Sequence, residues 1–290
     1  MKPPPFEYSP AASVEEAVAL LAEHGEDAKV LAGGQSLVPL LALRLAHPAR
    51  LIDINPIGAL AAVHGGGGLE LGAMVRHRAA ERSVEVRREA PLVAEALGLV
   101  GHAAIRSRGT IGGSIAHADP AAELPAALLA LEGEIVAASS RGTRTVPAAE
   151  LFQGFLTTSH EPDELLTAVR LPPWPARTGW SFREFSRRSG DFAVVGVACV
   201  VGLDGAGRVE RARLAFSGVA GTPVRAAAAE AALAGADPSE QVWTEAGQQA
   251  AGELDPPADL HGTAAYRRHL AAVLARQALN QAWERAKGAA

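Results

Sequence analysis

Apolar residues at Val14, Ala17, Val18 and Leu21 recur at three- and four-residue intervals, which predicts a helix with one buried face. Ser13-Val14-Glu15-Glu16 is a capping-box pattern at its start, and Gly25 supplies a stop. A short apolar run at Lys29–Ala32 predicts a strand. It is followed by Gly33-Gly34-Gln35-Ser36 and a helical stretch from about Leu37 to Leu45. Arg50–Asn55, with Leu51, Ile52 and Ile54, predicts a second buried strand. The order strand, glycine loop, helix, strand indicates a small α/β unit.

Downstream, Gly65–Gly68 is a turn before a strand at Leu69–Leu71, and Pro91–Val100 is helical with Pro at an allowed first-turn position. A polar, glycine-rich loop is predicted from Gly101 to Asp119, then an apolar helix at Ala121–Leu131. Glu134–Ser139 and Arg144–Pro147 flank Ser140-Arg141-Gly142-Thr143, a hairpin turn. A strand at Leu165–Leu171 runs into Pro172-Pro173-Trp174-Pro175, where proline disrupts both helix and sheet bonding and marks a domain boundary. Beyond it, Trp180–Ser186, Phe192–Leu203 and Arg208–Ser217 read as three antiparallel strands. Helices follow at about Pro223–Leu233, Ser239–Ala251 and Tyr266–Lys287. In this reading Phe192 opens an apolar strand and is a core residue by ordinary burial preference.

Composition narrows the classes. With 290 residues and 48% hydrophobic content, the chain can build one large core or two modest ones. A net charge of −5 argues against nucleic acid as the partner. A single cysteine, Cys199, excludes an internal disulfide and any four-thiolate iron–sulfur cluster held by this chain alone. Cys199 sits among valines and alanines and reads as an inert small apolar residue. The sequence from Met1 to Phe6 has no apolar signal core, and Phe192–Leu203 is shorter than the roughly 20 residues a membrane helix needs. A cytoplasmic protein without a membrane span is expected.

Two segments carry candidate chemistry: Ala32-Gly33-Gly34-Gln35-Ser36 after a strand, and Thr110-Ile111-Gly112-Gly113-Ser114 in the long loop. Paired glycines let main-chain N–H groups converge on an anion with no Cβ in the way, and the following hydroxyl adds a donor. The first segment also opens a helix, whose N-terminus favours negative charge. Two such nests suit a diphosphate. No G-x-G-x-x-G follows a strand and no G-x-x-x-x-G-K-[ST] is present, which disfavours a Rossmann site and an NTPase loop. Arg106 and Arg108 flank the second segment, either neutralising phosphate or salt-bridged at the surface. His102 and His117 have no metal-site spacing. Asp53 reads as a cap. Gly34–Val38 lacks the second glycine of a nucleophile elbow, although Ser36, His117 and Asp119 can be drawn as a triad.

The two glycine motifs, Leu51-Ile52-Asp53-Ile54, Gly101 through Ser114, Ser189-Gly190-Asp191-Phe192-Ala193 and Tyr266-Arg267-Arg268 together resemble the FAD-binding medium subunit of the molybdenum hydroxylases, the xanthine dehydrogenase and carbon monoxide dehydrogenase family. The resemblance implies an α+β chain. A two-lobed PCMH-type FAD-binding domain would occupy 1–174, with lobes of about 1–57 and 58–174. A C-terminal α+β domain, a three-stranded antiparallel sheet with helices, would occupy 175–290. It further implies that Ala32, Gly33, Gly34, Gln35 and Ser36, with Leu37 beside them, and Thr110, Ile111, Gly112, Gly113 and Ser114 hold the FAD pyrophosphate. Glu123 matches a carboxylate near the adenosine end, usually Asp. Leu166 matches an apolar residue lining the nucleotide. Phe192 matches an aromatic shielding the isoalloxazine, where Tyr is common, so the phenolic donor is lost here. Ser114 stands where relatives often carry Asn.

By the same resemblance, a molybdenum-cofactor large subunit and an iron–sulfur small subunit would be the partners, in a dimer of heterotrimers, with electrons reaching a final acceptor through FAD. Substrate and acceptor stay open. So do a self-sufficient flavin oxidoreductase and a non-redox nucleotide-binding assembly protein.

Overall fold

The computed structural model describes residues 2–289; Met1 and Ala290, the outer ends of the two expected domains, lie outside the described residues. The chain is mixed α and β, arranged on three main sheets. The first is parallel, with Arg50–Asp53 between Glu7–Pro10 and Ala28–Leu31. Helix Val14–His24 covers it through Ala17, Val18 and Leu21, and the Ser13 hydroxyl accepts from the Glu16 N–H as the capping pattern requires. The Glu16 carboxylate reaches back to the N–H of Ala12.

The second sheet is antiparallel and five-stranded, ordered Val63–His64, Leu69–Gly72, Leu165–Leu171, Glu134–Ser139, Gly142–Pro147. Helices Pro91–Leu97 and Glu123–Ala130 supply the core beside it, with Leu92, Leu97 and Leu128 all buried.

The third sheet holds four strands rather than the expected three. Thr178–Phe185, Val195–Leu203 and Val209–Ser217 are joined by a two-residue strand, Val224–Arg225, too short to leave a hydropathy signal. Strand Val195–Leu203 is buried along its whole length. Alternate residues face opposite ways in a strand, and here the alternation sorts them between two cores. Val197, Cys199, Val201 and Leu203 pack with the C-terminal helices. Ala198 and Val200 join the N-terminal core that contains Leu92 and Leu128. The sheet is therefore shared between two halves of the molecule. The last helix, Ala264–Gly288, lays Ala271, Ala275, Ala278 and Ala282 against it.

The stretch Gly101–Asp119 is not a loop. It contains helices Ala103–Arg108 and Ile111–His117, the second capped by the Thr110 hydroxyl. Strand Val195–Leu203 also starts three residues later than predicted, which leaves Phe192 outside it.

Candidate functional site

Strand Ala28–Leu31 delivers the chain into a turn in which Gly34 adopts φ +73°, the left-handed region that glycine enters without strain. Helix Leu37–Ala42 begins directly after it. Among the described residues, the main-chain N–H groups of Gly33, Gly34, Gln35, Ser36 and Leu37 find no acceptor in the chain, and Ser36 does not cap the helix with its side chain. Gln35 is exposed, while Gly34, Ser36 and Leu37 are half-buried. Such a row of unsatisfied donors leaves hydrogen bonds free to be given to an anion.

The turn is held by Asn55 and Arg76, which the sequence did not single out, together with Asp53 and Tyr8. Asn55 Nδ2 donates to the Ala32 carbonyl at 2.9 Å and to Asp53 Oδ1, and Arg76 donates to Asn55 Oδ1 and to the Arg108 carbonyl. Tyr8 donates its hydroxyl to Asp53 Oδ2. Burial alone would raise the Asp53 carboxyl, but the Tyr8 hydroxyl, Asn55 and the nearby Arg108 hold it below the usual range. Burial and the proximity of Arg108 lower Arg76, with Asp53 a partial offset. Asp53 is near enough to influence both guanidiniums but forms an ion pair with neither among the described residues, and the exposed Arg108 side chain has no ion pair there at all. The excess positive charge lies beside the open amides, as a diphosphate requires. Asp53 caps the Asn55 N–H, as expected.

The second motif behaves differently. Ile111 N–H donates to the Val75 carbonyl, Gly112 N–H to Ala73, Gly113 N–H to the Thr110 hydroxyl and Ser114 N–H to the Thr110 carbonyl. These amides are committed to the fold, which corrects the expectation of a second open nest. Gly112 is buried, and a Cβ there would lie 2.5 Å from Ala73 Cβ. His77 Nε2 donates to the Thr110 carbonyl at 2.8 Å, and burial pushes the imidazole down to about 4 despite that bond, so it is neutral at pH 7.

The two motifs nonetheless adjoin. A Cβ on Gly33 would meet the Arg108 carbonyl at 2.4 Å and Gly109 Cα at 2.9 Å, and one on Gly113 would lie 3.8 Å from Ala32 Cβ. The second motif is a floor on which the first is seated; its half-buried Gly113 and Ser114 present a surface without bulky side chains.

Phe192 is 60% exposed, which overturns its reading as a core residue. It leaves the sheet because the preceding loop leans on the N-terminal half: Gly190, at φ +86°, approaches His102 so closely that a Cβ would lie 2.5 Å from the ring. His102 starts helix Ala103–Arg108, whose far end reaches Gly33. At 1.5 Å per residue that helix is about 9 Å long. The Gly190 loop that leads to Phe192 and the open amide edge therefore adjoin the two ends of one short helix. A cavity of about 430 Å³ lies between the halves, lined by Leu99, His102, Arg106, Glu184, Ser186 and Gly190.

Glu123 is only 4% exposed, at the start of helix Glu123–Ala130. Burial pushes its carboxyl up to about 8; its own main-chain N–H offsets this in part, while Glu184 and Asp119 add to it. Burial also raises Glu184 to about 7, and its Oε2 has no partner among the described residues. The structure thus places Glu123 at the junction of the two halves. Leu166 is 5% exposed in strand Leu165–Leu171, opposite Ala137 in the N-terminal core.

Of the remaining candidates, Arg106 is bound to Glu81 and to the carbonyls of Val100 and Gly101, a structural role. Asp119 Oδ1 accepts from the Ala121 N–H, and no hydrogen bond joins Ser36, His117 and Asp119 among the described residues, so the drawn triad is not assembled. Cys199 is fully buried, and burial raises its thiol further. Among the described residues no three His, Cys, Asp or Glu side chains cluster as metal ligands, and no helix is long and apolar enough to cross a membrane.

Residues 4–174 match the profile of the FAD binding domain in molybdopterin dehydrogenase, and residues 180–282 match the CO dehydrogenase flavoprotein C-terminal domain. The chain is 42% identical over 288 residues to the 6-hydroxypseudooxynicotine dehydrogenase complex subunit alpha of Paenarthrobacter nicotinovorans, covering 99% of this chain and 97% of that one. Among solved structures, it superposes on a chain of the carbon monoxide dehydrogenase from Hydrogenophaga pseudoflava lacking the molybdenum–pyranopterin moiety, with TM-score 0.95, 42% identity, and 98% and 99% of the two chains covered. Quinoline 2-oxidoreductase from Pseudomonas putida 86 gives TM-score 0.94 at 37% identity, with 99% of each chain covered.

Proposed function

The chain belongs to the FAD-binding medium subunits of the molybdenum hydroxylases, and from that membership we propose that it works as an electron-transfer subunit between an iron–sulfur chain and a final acceptor. It is an oxidoreductase component with FAD as its cofactor. FAD supplies the redox chemistry; the protein supplies binding, orientation and electrostatics.

The observation that carries the site assignment is the unsatisfied run of N–H groups from Gly33 to Leu37 beside Arg76 and Arg108. In this reading these amides and Arg108 hold the pyrophosphate, Ala32 and Ser36 shape the edge, and Thr110 through Ser114 form the floor. Phe192 covers one face of the ring. Leu166 backs the nucleotide from within the core, and Glu123 supports its adenosine side through the domain junction. The single cysteine agrees with clusters carried by another chain. The names of the relatives, a subunit of a dehydrogenase complex and a carbon monoxide dehydrogenase with a molybdenum cofactor, support partner chains, one of them bearing molybdenum; an iron–sulfur partner and a doubled heterotrimer acting in the cytoplasm complete the proposal.

FAD titration of the purified chain, followed by visible absorbance and calorimetry, tests this. One FAD per chain is expected, with no hydroxylation of any substrate by the subunit alone. A preparation that stays colourless with excess FAD would refute the cofactor site. Hydroxylation by the isolated subunit would refute the division of labour.

A further inference from the structure

Arg267 is a charged side chain with only 4% of its surface exposed. Its Nη1 donates to two carbonyls from different strand ends, Val194 and Gly218, the latter at 2.8 Å, and its Nη2 donates to Asp259 at 2.7 Å. Nε has no partner. Burying a cation in an incompletely satisfied site is a poor way to gain stability, and an apolar side chain of similar volume often serves folding as well. What the guanidinium provides is geometry, since its planar fork fixes several acceptors at set angles.

Those acceptors define the frame around Phe192. Val194 is two residues away and buried, and its N–H is bonded to the Phe185 carbonyl at 2.7 Å. Gly218 stands so close that a Cβ there would lie 2.5 Å from the Val194 carbonyl. Its N–H donates to Pro120, in the turn between the second glycine motif and Glu123. Arg267 therefore ties the base of the Phe192 segment to a loop of the FAD-binding half.

We propose that Arg267 is a positioning residue that sets where Phe192 stands over the cofactor. The inference rests on the reading that Phe192 covers the flavin ring.

Visible circular dichroism of bound FAD, normalised to FAD content, reads the ring's asymmetric surroundings and is insensitive to stability as such. F192A is expected to change the signal at least twofold, and R267M to change it to a similar extent with FAD content within twofold of the parent. R267K should restore more than half of the difference, because one ammonium can still serve the carbonyls. The double variant F192A/R267M should match F192A. If F192A leaves the signal unchanged, the ring-cover reading fails and the proposal with it. If F192A acts but R267M resembles the parent, or adds its full effect on top of F192A, only the positioning role is overturned. Should R267M not fold, D259A replaces it: a shift in the F192A direction supports the role, and a parental signal overturns it.

Discussion

Ala32–Leu37 and Thr110–Glu123 contain the same Gly-Gly-polar signature, yet they answer opposite demands. In the first, the main-chain donors from Gly33 to Leu37 are left unpaired, and those from Gly34 onward are half-buried or exposed. In the second, the N–H groups of Ile111 to Ser114 are all paired within the fold, and Gly112 is small because Ala73 presses against it. Paired glycines signal close approach of something to the backbone. Whether that something is a ligand or another part of the chain depends on where the hydrogen bonds go.

The contrast can be broken most severely at Gly112. G112V forces side-chain atoms into Ala73 and should destabilise the fold by about 3 kcal/mol or more, losing FAD only because the fold is lost. Thermal melting with and without FAD checks this; a variant that melts normally but no longer binds would show that Gly112 serves the ligand rather than the packing.

Glu123 sharpens the other side of the same region. Its folded carboxyl is raised to about 8 from 4.5, so the folded state keeps a proton that the unfolded state has lost between those values. Stability from this group is full below about pH 4.5 and declines as pH rises through 8. E123Q should flatten that decline and be roughly 2–4 kcal/mol more stable than the parent at pH 8.5. Urea unfolding of the apoprotein across pH 5–9 measures it, and parallel curves for the two proteins would refute it.

The smallest expected effect is at the open edge. R108Q should bind FAD about tenfold more weakly with a shallower salt dependence, while its melting stays within about 0.5 kcal/mol of the parent. Unchanged affinity would remove Arg108 from the diphosphate site.

Local signals were legible where a segment decides its own conformation. Ser13 and the spacing of Val14, Ala17, Val18 and Leu21 were sufficient for the first helix. The apolar run ending at Leu203 was sufficient for a central strand. Legibility failed where distant partners decide. Glu7–Pro10 is short, mostly exposed and contains proline, and only its parallel pairing with Arg50–Asp53 makes it a strand. The helices inside Gly101–Asp119 are six and seven residues long and glycine-punctuated, below the length at which periodicity shows. Asn55 and Arg76 act on Ala32 and Arg108 across 23 and 32 residues, a relation no local spacing encodes. Phe192 had the composition of a strand residue, and the lean of Gly190 on His102 pulled it into the open.

Strand Val195–Leu203, with one face in each core, bears on how the molecule comes apart. The connecting segment at Pro172–Ala176 is largely exposed and covalently expendable, whereas Ala198 and Val200 are lodged among side chains of the other half. Glu95 reinforces that join by accepting from the Phe182 N–H and from Arg285, and Glu132 does so by accepting from Arg213 and Arg225. A protease that nicks the linker would cut the backbone without releasing either piece. The two fragments would travel together through a sizing column as one particle, held by a seam of alanine and valine.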